Sequence, residues 1–150
     1  MKHPRQYQGV TMLEVVMFTA ILTTVMLAIV FATTQSLKQT IYSQRKILST
    51  HAAEELQEWM RGEKENDWAT FSARSGTFCF NEDIATCDAS GTCWDSNQAC
   101  EADDYSLQNF KREAVLTVNG SRIDVSISVF WKDGPNVFEV PLITTFSRWE

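Results

Sequence analysis

Three patterns of hydrophobic and polar positions follow one another along this 150-residue chain. From Val10 to Thr34 every residue except Glu14 is apolar or a threonine, and no Gly or Pro interrupts the run. Val15 to Thr34 are twenty consecutive uncharged residues, enough to cross a bilayer as a helix. Behind them Leu37, Ile41, Leu48, Ala52, Leu56 and Trp59 recur at steps of 3, 4 and 7, the one-sided stripe of an amphipathic helix. One helix is therefore expected from about 11 to 61, with Arg61 in its last turn and Gly62 as its stop. Its stripe is expected to pack against the domain that follows.

From 62 to 112 no period is sustained. Trp68, Phe71, Phe78 and Phe80 are scattered apolar anchors among turn-forming and acidic residues. A compact domain rarely holds so long an irregular stretch without other ties. Regular alternation returns at Glu113. Strands are expected at 113–118, 121–132 and 137–148, joined by Asn119-Gly120 and by Asp133-Gly134-Pro135-Asn136. The first turn would set Val118 opposite Ser121 and Leu116 opposite Ile123. The second would set Lys132 opposite Val137 and Trp131 opposite Phe138. Both registers gather Leu116, Val118, Ile123, Val125, Ile127, Val129, Trp131, Phe138, Val140 and Leu142 on one face, which needs a partner. The helix stripe is that partner. Phe130 and Ile143 fall on the polar face and mark a candidate subunit contact, whereas Trp149 reads as a packed strand end.

The fold class is thus α+β: a long N-terminal helix, its first half transmembrane, on a C-terminal three-stranded antiparallel meander, with an intervening loop that contains the cysteines. Cys79, Cys87, Cys93 and Cys100 lie within 22 residues at spacing C-x7-C-x5-C-x6-C. Without a C-x-x-C pair, zinc and thioredoxin-like readings are weak. An even number of clustered cysteines in an exported domain favours two disulfides, and the sequence does not choose among the three connectivities.

Charge narrows the partners. Lys and Arg number 13 against 19 Asp and Glu, a net charge of −6, which disfavours phosphate backbones and makes nucleic acid an unlikely partner. No nucleophile lies near a base, no Gly-rich loop offers a phosphate cradle, and no enzyme is expected. His51 has no acidic or Cys partner at ligand spacing and reads as a surface residue. The acidic loop offers carboxylates to Ca²⁺, but it lacks a D-x-[DN]-x-[DN]-G pattern, so no cofactor is expected.

The polar leader 1–9 carries Lys2 and Arg5 and ends in Gly. Its charge is expected to hold the N-terminus in the cytoplasm. Four residues into the apolar run stands Glu14, where a carboxylate costs about 2–4 kcal/mol in lipid. Gly9-Val10-Thr11-Met12-Leu13-Glu14 resembles the processing motif of type IV pilins and type II secretion pseudopilins. The resemblance implies that a prepilin peptidase cuts after Gly9 and methylates the new N-terminus at Val10. It implies too that Glu14 pairs with an N-terminal amine, its own or a neighbour's, when subunits pack into a helical filament. Each of those buried charges is expensive alone and less so when paired. The implied partners are other pilin subunits, the prepilin peptidase, an inner-membrane assembly platform, and membrane lipid before assembly. The implied location is the inner (cytoplasmic) membrane as a single-pass protein, then a cell-surface filament.

On this reading 1–9 is a leader, 10–34 the membrane and filament-core helix, and 35–150 an extracytoplasmic head made of 35–61, 62–112 and the meander 113–149. Many major pilins carry Gly or Pro in the membrane helix, so the uninterrupted run points to a minor pilin or a pseudopilin. Two further readings compete: a filament-tip adhesion or binding module that uses the Cys loop, and a membrane-anchored domain that joins no filament.

Overall fold

The structure is a computed structural model that describes residues 11–81, 83–87, 92–94, 97–105, 107 and 109–148. Helix α1 spans Met12–Asn66 and a short helix α2 spans Trp68–Ser72. Strand β1 is Gly76–Cys79, β2 Phe110–Asn119, β3 Arg122–Asp133 and β4 Asn136–Ser147. The chain divides into two compact units at Tyr42/Ser43.

α1 does not stop at Gly62 but runs on to Asn66. An interior glycine costs a helix only about 1 kcal/mol. The extra turn places Glu63 against Arg74 at 3.7 Å and puts Lys64 over the ring of Phe146. Asp67 then restarts the chain as α2, its carboxylate accepting from the backbone N–H groups of Ala69 and Thr70.

Within the second unit, α1 packs on an antiparallel sheet of four strands in the order β1-β2-β3-β4, not three. The added strand, β1, pairs Thr77 with Val115 and Phe78 with Ala114. Four residues are too few to show an alternation of their own, which is why the sequence hides it.

The turn between β3 and β4 behaves as expected. Asp133 faces Asn136, Trp131 faces Phe138 and Val129 faces Val140, with the Trp131 and Phe138 rings stacked at 5.4 Å. The turn between β2 and β3 differs. Asn119 pairs with Arg122, so Gly120-Ser121 is the loop, and Val118 faces Ile123 rather than Ser121. Gly120 has φ +63°, whereas Ser121 is not among the residues of positive φ. A turn through Asn119-Gly120 of the favoured hairpin type would demand positive φ at both positions, and this one needs it only at Gly120. A slip of two residues keeps every side chain on its predicted face.

That core joins Ala53, Leu56 and Met60 of α1 to Leu116, Ile123, Val125, Ile127, Val129 and Trp131 of the sheet. The buried face of α1 is Ser49, Ala53, Leu56, Met60 and Lys64. It is rotated from the predicted stripe: Leu37, Ile41 and Leu48 are exposed, Ala52 and Trp59 are half-buried, and only Leu56 is fully covered. Ser49 enters the core without penalty because its Oγ donates to Arg45 O at 2.8 Å. Val118, expected inside, is exposed at the end of the ladder.

Candidate functional site

The first chemically distinctive region is the start of α1. Glu14 lies in its first turn, where exposed backbone N–H groups and the helix dipole favour a carboxylate. Thr11 O accepts from the N–H groups of Glu14 and Val15 at 3.0 and 3.3 Å. From Met12 to Phe31 the large apolar side chains are exposed, Val15, Phe18, Ile21, Met26 and Ile29 among them. α1 is long and apolar enough to cross a membrane. The threonines fit this surface because their hydroxyls are satisfied within the helix. Thr19 donates to Val16 O, Thr23 to Thr19 and Ala20 O, Thr24 to Ile21 O, Thr33 to Ile29 O and Thr34 to Val30 O, at 2.8 to 3.0 Å. A hydroxyl bonded to its own helix loses little when water is removed. Gly9 and Val10, the processing pair, lie outside the described residues.

The second region is the loop between β1 and β2. Its cysteines pair as Cys79–Cys100 and Cys87–Cys93. The first bridge ties the end of β1 to a buried Cys100, and the second closes a small ring between two 3-10 turns, Ile84–Thr86 and Thr92–Trp94. Trp94 follows Cys93 directly and inserts into an aromatic cluster. Its ring lies 5.2 Å from Phe78 and Phe80, 5.3 Å from Trp59 and 6.0 Å from Phe71. Its indole N–H donates to Glu63 at 3.3 Å, and the Arg74 guanidinium sits 4.3 Å over the ring. The sequence reading passed over Trp94. The usable signal was that it is the one aromatic between Phe80 and Tyr105. Asp83, Glu101 and Asp103 stay exposed on the loop. Among the described residues no group of three or more His, Cys, Asp or Glu is placed to hold a metal ion.

Arg112 was also missed, and it joins helix, loop and sheet. It occupies a core-facing position of β2 between Phe110 and Ala114 and is fully buried. Nε donates to Phe80 O at 3.1 Å, and Nη1 donates to Ala52 O at 2.9 Å and to Glu55 Oε2 at 3.3 Å. Its backbone N–H donates to Asn81 Oδ1 at 2.9 Å, while its carbonyl accepts from Phe80 N–H. Burial pushes the guanidinium below its usual range, and Glu55 opposes that shift. The acceptors that surround the guanidinium offset the cost of burying its charge.

At one end of the sheet Lys132 pairs with Asp103 and lies over the Tyr105 ring, while Arg45 donates to Lys132 O and stands 3.7 Å from Asp133. The Lys132 hydrogen bond lowers the Asp103 carboxyl, and the same bond raises Lys132. On the outer face Ile143 is 78% exposed, and Phe130 is half-buried beneath Lys111. His51 is exposed and pairs with Glu54 at 3.3 Å. No protein-family model matches the chain, and neither a curated protein nor a solved structure does.

Proposed function

We propose that the chain is a structural subunit, a minor pilin, of a type IV pilus or pilus-like filament. On this reading a prepilin peptidase cuts after Gly9, and the mature chain assembles through its N-terminal helix. The observation that carries the reading is the start of α1. An apolar surface with its hydroxyls internally satisfied bears one carboxylate, Glu14, in its first turn. Lipid suits that surface but not the carboxylate, whereas a bundle of like helices with amino termini suits both. The motif Gly9-Val10-Thr11-Met12-Leu13-Glu14 adds the processing step that creates such a terminus. Its location before assembly would be the inner membrane, with the head outside the cytoplasm, where disulfides persist.

The alternative of the same class is a type II secretion pseudopilin, which the uninterrupted course of α1 favours equally; neighbouring pilus-assembly or secretion genes separate the two. The N-terminus of the mature protein tests the cleavage. Mass spectrometry is expected to find a chain beginning at methylated Val10, and Gly9→Ala is expected to leave the full-length precursor. A Gly9→Ala chain that matures normally contradicts the assignment.

A further inference from the structure

The tip of the β2–β3 hairpin carries a chemically reactive pair. Of the six asparagines in the chain only Asn119 is followed by glycine, and the other five precede residues with a side chain. Residues 118–122 are all exposed. Asn119 pairs with Arg122 in the last rung of the ladder, so Gly120 and Ser121 lie outside it. A terminal rung in water opens at small cost. The space beside Gly120 is open too, since a Cβ there would meet nothing within 4 Å.

A side-chain amide can be attacked by the backbone nitrogen of the next residue, and glycine presents that nitrogen with no Cβ in the way and the widest choice of φ and ψ. Gly120 already stands at φ +63°. We propose that Asn119 is a site of spontaneous deamidation, with solvent water as the co-reactant. The Gly120 nitrogen attacks Asn119 Cγ and forms the N–Cγ bond. The Cγ–Nδ2 bond breaks with its electron pair on Nδ2, which takes the proton lost by Gly120 and leaves as ammonia. Water then opens the cyclic imide at Cγ to give aspartate, or at the backbone carbonyl of residue 119 to give isoaspartate. Nothing is oxidised or reduced. The product matters to the sheet. Asn119 Nδ2 donates to Asp124 Oδ2, and Thr145 Oγ1 donates to Asp124 Oδ1 at 2.9 Å, so one bonded row joins β2, β3 and β4. Deamidation exchanges the Asn119 donor for a carboxylate facing Asp124, and like charges across strands repel. Isoaspartate also adds a backbone atom to the last rung. Because hydrolysis does not return the amide, the change is one-way and records the age of the head. It is independent of filament assembly.

The test incubates the full chain in detergent micelles over days in slightly alkaline buffer, beside the same chain unfolded in urea. Tryptic peptides are then read by mass spectrometry, residues 113–122 forming the peptide that contains Asn119. In the folded chain this peptide is expected to gain the mass of OH in place of NH2, as chromatographically separate aspartate and isoaspartate forms. Its rate is expected to fall within about tenfold of that in the unfolded chain, because only the terminal rung must open. Gly120→Ala is expected to slow conversion about tenfold, and the same comparison in urea serves if that variant does not fold. Asn119→Gln keeps an amide donor but needs a larger ring, and it is expected not to convert. Asn119→Asp, the aspartate product made directly, is expected to melt a few degrees below the native chain at neutral pH. A folded chain left intact while the unfolded chain converts fully overturns the proposal. So does equal conversion at the other asparagines, or an Asn119→Asp chain as stable as the native one.

Discussion

Arg112 bonds to the carbonyls of Ala52 and Phe80 and to Glu55, so three segments distant in sequence depend on one side chain. Replacing it by Met keeps much of the volume and strands those carbonyls in a dry environment. Arg112→Met is expected to destabilise the head by about 2–4 kcal/mol, measured by chemical denaturation of the full chain in detergent. Lys, which lacks the planar fork, is not expected to rescue it. Asp67 makes a second prediction at this scale. The Thr70 hydroxyl and backbone N–H hold its carboxyl below the usual value of 3.8. A carboxyl lowered on folding stabilises above its unfolded pKa, and that contribution disappears as pH falls through the folded pKa. Asp67→Ala is therefore expected to melt lower than the native chain at pH 7, with the gap narrowing below about pH 4. A gap constant with pH contradicts the assignment. Neither role was legible in sequence. The strand was expected to begin at Glu113, which left Arg112 in the irregular stretch, whereas β2 begins at Phe110 and carries Arg112 onto its buried face.

The elements differ in how openly the sequence declares them. β3 and β4 alternate over twelve residues each, and their turn at Gly134-Pro135 admits one register, so the pairing of Trp131 with Phe138 was readable. Asn119-Gly120 misled by two residues, because the sequence offers two adjacent glycine-containing turns of equal length. The buried face of α1 was misread for a different reason. Its core side includes Ser49 and Lys64, while Leu48 remains exposed, so hydrophobicity alone points about one residue away. The loop between β1 and β2 has no period, and its order comes from two disulfides and Trp94. Closing a loop restricts the unfolded chain more as the loop lengthens. With sequence separations of 21 and 6, Cys79–Cys100 is expected to contribute about 3 kcal/mol and Cys87–Cys93 about 2 kcal/mol. Paired Ser substitutions compared by denaturation midpoint check the order, and a larger loss from the Cys87/Cys93 pair contradicts it.

At the scale of the whole molecule, each unit of the chain has its own chemistry. The first carries an apolar helix surface and one carboxylate; the second is a disulfide-bonded α+β head with its own core. The apolar run and Glu14 were legible at once, because a charge in twenty-odd apolar residues is conspicuous. The tie between helix, loop and sheet is not written as a period or motif, since a single residue such as Arg112 acquires meaning only from what surrounds it in space. The central claim, assembly through the N-terminal helix, rests on Glu14. It is tested most directly by the amount of Glu14→Ala chain recovered in sheared filaments from cells with a prepilin peptidase and assembly machinery, beside the native chain. The expected result is normal loss of residues 1–9 with incorporation strongly reduced. Incorporation equal to that of the native chain contradicts the account.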